Sequence, residues 1–194
     1  MPKIYSYVIV HDSGFAPNPY GGVCTLATCK PVIRRTAKIG DWLVGTGSTT
    51  KGFSGKVIYA AQIDTVLAMA EYGASQAFEM KQPVPSGTIE QRCGDNIYFQ
   101  DCNGTWFQRE NEHHCPRHMN HDLAGKNVLI SVRFWYFGSA PQPLPERLAG
   151  IVKLGPGHKI TDSKDSVVAL ERWLSGFTPG QASAPGLNGV CGGC

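Results

Sequence analysis

The chain has 194 residues, of which 42% are hydrophobic and 17% charged, and its formal net charge is +3. This length suits one domain with its own core, so folding requires neither a metal nor a disulfide framework, and the odd number of cysteines, seven, agrees. No apolar stretch approaches the roughly 18 residues that cross a bilayer, and the first residues do not resemble a signal peptide. We therefore expect a cytoplasmic protein with no membrane partner.

The first predicted element is a strand in residues 3–10, KIYSYVIV. Side chains of a strand alternate between its two faces. Both faces are largely apolar here, with Ile4, Ser6, Val8 and Val10 on one and Tyr5, Tyr7 and Ile9 on the other. The strand is therefore predicted to be covered on both sides.

Residues 23–35, VCTLATCKPVIRR, fit either a short helix that ends near Cys29 or a strand interrupted at Pro31. Both readings follow from proline, which moves the residue before it out of the helical region. Residues 39–48 predict a further strand, and residues 55–72 predict a strand that runs into a helix. Between them, GTGSTTKG lacks the Gly-Lys-Ser/Thr ending of a phosphate loop and is interpreted as a hairpin turn.

Residues 73–122 are irregular and polar, with one short strand predicted at residues 96–101, and residues 127–138 predict one more strand. A helix is predicted in residues 162–176, with Asp162 or Ser163 as N-cap, one apolar face and an end at Gly176. The predicted fold class is α+β, a small, strongly bent sheet or barrel with a few flanking helices. It would form one domain over residues 1–177, followed by a flexible Gly/Pro/Ala-rich tail at 178–194.

One candidate chemistry is nucleophilic catalysis by a cysteine. Cys29 directly precedes Lys30 and lies five residues before Arg34, and nearby cations make a thiol more reactive. His11 would then act as base and Asp12 would orient it. The alternative is that Cys29 and Cys24 are small buried apolar side chains, as free cysteines commonly are.

A second candidate is a metal site in residues 111–122, NEHHCPRHMNHD. A zinc ligand set is conceivable, formed by Cys102, His114, Cys115 and His118, although the adjacent His114 and Cys115 would not easily share one ion. Cys191 and Cys194 form a Cys-x2-Cys pair without a second pair at standard spacing. We expect no cofactor, and a zinc-stabilised interaction module stays open as an alternative.

A third candidate is a nucleotide site. Its basic side chains, Lys30, Arg34 and Arg35, can make charge-assisted hydrogen bonds to phosphate. Aromatic side chains near the loops, Tyr20 and Trp42 among them, could stack on a base that has left the duplex. Four further side chains could contact a base edge: Asp12, Asn18, Asp95 and Asn96. The alternative is an ordinary basic surface with aromatic residues in the core.

Three segments together resemble the nucleotide modification associated domain 2 family: residues 11–48, GDNIYF at 94–99 and VLISVRFWYFG at 128–138. The resemblance implies a role tied to modified nucleotides, in bacteria or phages, beside genes for DNA base modification. It also implies that the site is lined by residues in the matching segments, namely His11, Asp12, Asn18, Cys24, Thr25, Cys29, Lys30, Arg34, Arg35, Asp41, Asp95 and Asn96. A weaker likeness, at residues 39–48 and 56–64, is to barrels of the pseudouridine synthase and archaeosine transglycosylase type.

We therefore expect a domain that binds a nucleotide, or a modified DNA base, in a polar and aromatic pocket flanked by Trp42 or Tyr20. The rival expectation is an enzyme that acts on a nucleotide, with Cys29 or Cys24 as nucleophile and His11 as base. The sequence chooses neither between binding and catalysis nor among the bases, and it does not predict the oligomeric state.

Overall fold

The structure, a computed structural model, describes residues 1–49 and 52–186. Thr50 and Lys51 lie outside the described residues, as do Cys191 and Cys194. The strands are β1 Ile4–Ile9, β2 Cys24–Leu26, β3 Trp42–Gly47, β4 Lys56–Gln62, β5 Thr65–Ala68, β6 Tyr98–Gln100, β7 Trp106–Gln108, β8 Asn127–Ser131, β9 Phe134–Tyr136, β10 Gln142–Pro143, β11 His158–Thr161 and β12 Gly180–Gln181. The α-helices are α1 Pro31–Thr36, α2 Met69–Ala74, α3 Ile89–Arg92, α4 Met119–Leu123 and α5 Lys164–Leu174, and 3₁₀ helices occupy Gln76–Lys81, Pro116–His118 and Glu146–Ile151.

Within the described part of the chain, the strands pair into three sheets. The largest has seven strands in the order β11-β1-β3-β4-β9-β12, with β10 also paired to β4. A three-stranded sheet has the order β2-β8-β5, and β6 and β7 form the third. Among the described residues no sheet closes into a barrel. The mixed helix-and-sheet class is therefore confirmed, whereas the likeness to a pseudouridine-synthase-type barrel is not.

Two apolar clusters cover the two faces of the large sheet, as the alternation in β1 predicts. Tyr5, Tyr7 and Ile9 belong to the cluster that also contains residues of β2, α1 and β8. Ile4 belongs to the cluster on the opposite face, which α5 covers. A third cluster lies around α2, β6 and β8. The first and third clusters place the segment that links β2 to α1 beside the irregular region of residues 73–122.

The segment 23–35 is a short strand followed by a helix that begins at Pro31. Proline is well suited to the first helical position, because its missing N–H would have no intrahelical partner there. With six residues, α1 is too short to be stable alone, so packing must hold it. Ile33 and Arg34 are buried and anchor it in the protein.

The prediction of one strand in residues 127–138 is wrong, because two strands of different sheets occupy it. The carboxylate of Asp64 accepts hydrogen bonds from the backbone N–H groups of Val132 and Arg133, between β8 and β9. Those two N–H groups are thereby taken from any strand ladder, and the chain passes from one sheet to the next.

The predicted helix at residues 162–176 is confirmed as α5. Ser163 is its N-cap, and its hydroxyl accepts a hydrogen bond from the N–H of Ser166 at 3.3 Å. Val167, Leu170 and Leu174 form its buried face. No helix among the described residues is long and apolar enough to span a membrane.

Residues 178–186, which composition assigns to a tail, include β12. Gly180 and Gln181 pair in parallel with Trp135 and Tyr136 of β9. The hydroxyl of Ser183 donates to the carbonyl of Phe137. The boundary after residue 177 stays a prediction, and residues 187–194 lie outside the described part of the chain.

Candidate active site

Cys29 lies in a constrained turn between β2 and α1. It adopts φ 56° and Lys30 adopts φ 41°, the left-handed region that residues other than glycine rarely occupy. The backbone N–H of Cys29 donates to Oδ1 of Asp122 at 2.7 Å. Its carbonyl accepts from Nε of Arg34 at 2.8 Å. Hydrogen bonds from two other elements therefore hold this cysteine at the start of α1.

The side chains of Cys29, His114 and Asp122 form a chain of contacts. Sγ of Cys29 lies 3.5 Å from Nε2 of His114. Nδ1 of the same ring lies 2.6 Å from Oδ2 of Asp122. Because an ionised carboxylate only accepts hydrogen bonds, Nδ1 carries the ring proton and Nε2 presents its lone pair to the sulfur. This is the order of nucleophile, base and orienting acid that thiol catalysis uses.

Asp122 is fully buried, and its carboxylate accepts from the Cys29 N–H, the His114 ring and the Tyr98 hydroxyl. Burial by itself would raise the pKa of this carboxyl group. The His114 ring, the Tyr98 hydroxyl at 2.9 Å and the Cys29 N–H act against burial and hold the pKa of Asp122 below its ordinary value. The acid is therefore charged at neutral pH and able to stabilise a protonated His114.

Arg34 is fully buried and holds the backbone around Cys29 and Asp122 in place. Its guanidinium donates to the carbonyls of Cys29, Asp122 and Asn127. Gly125 leaves the room for it, since a Cβ there would lie 2.4 Å from Cζ of Arg34. The predicted phosphate contact by Arg34 would need donors that are already used on backbone carbonyls. Arg35, by contrast, is exposed and donates to the Ala124 carbonyl.

A cleft of about 450 Å³ opens over Cys29 and His114. It lies between α1, the segment around α4 and the start of β11. Its lining consists of Cys29, Lys30, Pro31, Val32, Ile33, His114, His118, His121, Asp122, Gly157 and His158. The volume falls within the roughly 300–1,000 Å³ typical of small-molecule sites.

The other predicted cysteine and histidine lie elsewhere. Cys24 is buried in β2, and burial raises the pKa of its thiol to about 12, which disfavours it as a nucleophile at neutral pH. His11 is exposed on the loop after β1 and is not among the described residues that line the cleft. Asp12, its expected partner, accepts from the Tyr136 hydroxyl and from the Gly186 N–H, and burial raises its pKa.

Several predicted base-contacting residues lie together in a buried polar network around Lys81. The Lys81 ammonium donates to Oδ1 of Asn18 at 2.7 Å and to the Val23 carbonyl at 2.7 Å. Asp95, fully buried, accepts from the hydroxyls of Thr25 and Tyr72, each at 2.7 Å. The network ties β2 to the irregular region.

Asn96 belongs to the same buried region, and its side-chain amide donates to the carbonyls of Tyr72 and Phe78. These protein contacts use the polar groups that would otherwise meet a base edge.

The remaining predicted residues also serve the fold. Asp41 caps a turn, accepting from the N–H groups of Lys3 at 2.8 Å and Lys38 at 2.9 Å. Trp42 is fully buried, with its ring stacked against Trp135 at 6.0 Å between centroids. Tyr20 is 9% exposed and borders a different cavity, formed with Pro19 and Val132 among others. Of these three, Tyr20 borders space that a ligand could enter.

Sequence reasoning named His114 only as a possible zinc ligand and not as a base, and it missed Asp122 and Lys81. The motif at residues 111–122 was visible, but spacing pointed to zinc rather than to a base and its acid. Within residues 1–49 and 52–186, no three His, Cys, Asp or Glu side chains are arranged to hold a metal ion. The zinc alternative also involves Cys191 and Cys194, outside those ranges, and stays a prediction.

His113, next to the candidate base, is buried and stacked on Phe15 at 4.5 Å between ring centroids. Neither ring nitrogen has a hydrogen-bond partner among the described residues. Burial, together with the nearby His114 and Arg92, lowers the pKa of His113 from 6.5 to about 4. Between about pH 4 and pH 6.5, the folded protein therefore holds this ring neutral, whereas the unfolded chain binds a proton.

Replacing His113 with phenylalanine is expected to remove a pH dependence of stability. Above pH 6.5 both states hold the ring neutral, so it contributes no pH dependence there. As pH falls from 6.5 to about 4, the unfolded state protonates first, and the free energy of unfolding drops by up to about 3 kcal/mol. Urea unfolding of both proteins across this window measures the difference. Parallel curves for the two proteins would contradict the assignment.

The nucleotide modification associated domain 2 family matches residues 1–190 of the chain. No curated protein and no solved structure matches the chain. The family description ties its members to the modification of nucleotides. Because the match spans the turn at Cys29, the region of His114 and Asp122, and nearly all the rest, the chain belongs to the nucleotide modification associated domain 2 family.

Proposed function

We propose that this protein is a cysteine-dependent enzyme that acts on a nucleotide-related substrate. The observation that carries the proposal is the alignment of Cys29 Sγ, His114 and Asp122, with contacts of 3.5 Å and 2.6 Å, at the wall of an open cleft. A buried structural histidine would not need a cleft beside it. A nucleophile must reach its substrate, and Cys29 is the partly exposed member of the three.

In the proposed reaction, Nε2 of His114 takes the thiol proton while the sulfur attacks an electrophilic carbon of the substrate. A carbon–sulfur bond forms, and the bond to the leaving group breaks. The protonated His114, stabilised by the ionised Asp122, then gives its proton to the leaving group. Water or another acceptor then attacks the same carbon and gives its proton to the now neutral His114, the carbon–sulfur bond breaks, and the released thiolate takes the proton back, which completes hydrolysis or group transfer.

The substrate part of the proposal rests on the family, which is associated with nucleotide modification. The rival idea of a pocket for an extruded base, without chemistry, has less support. Trp42 is buried, Arg34 is engaged with carbonyls, and Asp95 is buried and accepts from the hydroxyls of Thr25 and Tyr72.

The test is selective alkylation of the native protein with iodoacetamide, followed by peptide mass spectrometry. Cys24, Cys29, Cys93 and Cys102 are free, and Cys102 is exposed, so it reports the rate of an ordinary accessible thiol. Cys29 is expected to react about tenfold faster than Cys102 despite its lower exposure, because an adjacent base can take its proton. Labelling of Cys29 no faster than that of Cys102 would overturn the proposal.

A further inference from the structure

The cleft over Cys29 presents basic groups from three separate segments. Lys30 comes from the turn before α1, His118 and His121 from the residues around α4, and His158 from the start of β11. Among the described lining residues the one acid is Asp122. Its two carboxylate oxygens are taken by Cys29 N–H, His114 and Tyr98, and it is fully buried. A ligand in the cleft therefore meets mainly basic groups, and the one carboxylate in the lining is buried and engaged with donors of the protein.

Two of these groups are held in place by aromatic side chains. The Lys30 ammonium lies 4.8 Å from the centroid of the Tyr7 ring, directly beside the candidate nucleophile in sequence. The ring of His158 stacks on Tyr5 at 6.2 Å. Both aromatic residues belong to β1, so this strand positions basic groups from the turn before α1 and from β11.

His118 can donate to a ligand even as a neutral ring. Its Nδ1 accepts a hydrogen bond from the Cys115 backbone N–H at 3.2 Å, so the proton of the neutral ring lies on Nε2. The ring is partly exposed and lies 4.8 Å from the ring of His114 between centroids. An Nε2–H donor is thereby available beside the candidate catalytic base.

We infer that this cleft binds a phosphate group next to Cys29, through Lys30, His118, His121 and His158. The inference deepens the proposed function and rests on it for the identity of the reacting atom: the substrate is a nucleotide or a nucleic-acid strand, and not a free base or nucleoside. Phosphate suits this lining because charged donors make stronger hydrogen bonds to its oxygens than neutral donors make to neutral acceptors. Lys30 acts as a point charge, and the imidazoles supply directional N–H groups.

The test measures binding, separately from chemistry, with the full chain carrying Cys29→Ala. Calorimetric titrations compare deoxynucleoside 5′-monophosphates, the matching deoxynucleosides and a short single-stranded oligodeoxynucleotide. Monophosphates are expected to bind at least about tenfold more tightly than nucleosides. If the oligodeoxynucleotide binds more tightly than the monophosphate, the phosphate belongs to a nucleic-acid strand. If the monophosphate binds more tightly, it belongs to a free nucleotide.

Two variants locate the phosphate. Lys30→Met and His118→Gln are each expected to weaken monophosphate binding by about five- to tenfold, while Lys164→Met, an exposed lysine on α5, leaves it unchanged. Equal binding of nucleoside and monophosphate, or no binding of either, would overturn the inference, as would full affinity in both variants. If His118→Gln unfolds, Lys30→Met decides alone.

The outcomes separate the two proposals. Phosphate-dependent binding in a protein whose Cys29 is alkylated no faster than Cys102 would keep the subsite and remove the enzyme. Rapid alkylation of Cys29 without a preference for monophosphates would keep the enzyme and remove the phosphate subsite.

Discussion

His114→Gln is expected to slow the alkylation of Cys29 by about tenfold or more at neutral pH, at or below the low end of the roughly 10²–10⁴-fold that a positioned base contributes. Glutamine keeps a polar side chain of similar reach but cannot accept the thiol proton. The rate is followed on the Cys29 peptide, and Cys102 in the same sample serves as the internal standard, because it is exposed and belongs to another part of the chain.

The comparison variant is His11→Gln, since His11 is the base that the sequence alone suggested. It lies outside the described lining of the cleft, so its replacement is expected to leave the Cys29 rate within about twofold of the parent. Equal rates in the parent and in His114→Gln would show that His114 does not serve Cys29. A slow rate in His11→Gln with a normal one in His114→Gln would restore the original assignment.

Arg34→Met is expected to lower the free energy of unfolding by about 3–5 kcal/mol, whereas Arg35→Met changes it by about 0.5 kcal/mol or less. The two residues are neighbours in α1 with opposite surroundings. Arg34 is fully buried and supplies donors to three backbone carbonyls, which would lose these bonds, although the Asp122 carbonyl keeps its bond from the Gly125 N–H. Arg35 is exposed, where water replaces its bond to Ala124.

Urea unfolding of the parent and both variants gives these differences directly. A loss below about 1 kcal/mol in Arg34→Met, or equal losses in the two variants, would contradict the structural role of Arg34. The measurement also separates that role from the phosphate contact predicted from sequence. Replacing an arginine that binds phosphate would weaken ligand binding and leave the free energy of unfolding nearly unchanged.

Local patterns were enough to predict much of the fold. The alternation in residues 3–10 gives β1 with both faces covered, and a serine N-cap with one apolar face gives α5. The break between β8 and β9 could not be read from residues 127–138. It depends on the carboxylate of Asp64, 68 residues before Val132 in the chain.

In the candidate site, too, local features could be predicted from the sequence and contacts between distant residues could not. Cys29 was identified because its sequence neighbours are basic, which is local information. Its contacts with His114 and Asp122 span 85 and 93 residues, and no spacing rule predicts them. Arg34 and Arg35 look equivalent in the sequence, but successive helix residues point about 100° apart, so one enters the core while the other faces water.

The polar residues that were predicted to contact a base edge lie outside the cleft for a related reason. Asn18 and Asp95 lie in segments that composition marks as loops, and loop residues are commonly exposed. The buried ammonium of Lys81 bonds to Asn18 and lies close enough to Asp95 to act on its charge. A lysine in an irregular segment gave no sign that it would be buried.

The rate of alkylation of Cys29 relative to Cys102, measured in native protein and again in urea, tests most directly whether the fold activates this thiol. The arrangement of Cys29, His114 and Asp122 predicts a ratio of about ten in the native protein and about one after unfolding, since unfolding separates the three side chains. A native ratio at or below that of the unfolded chain would mean that His114 does not activate Cys29, and the proposed enzyme would have no nucleophile.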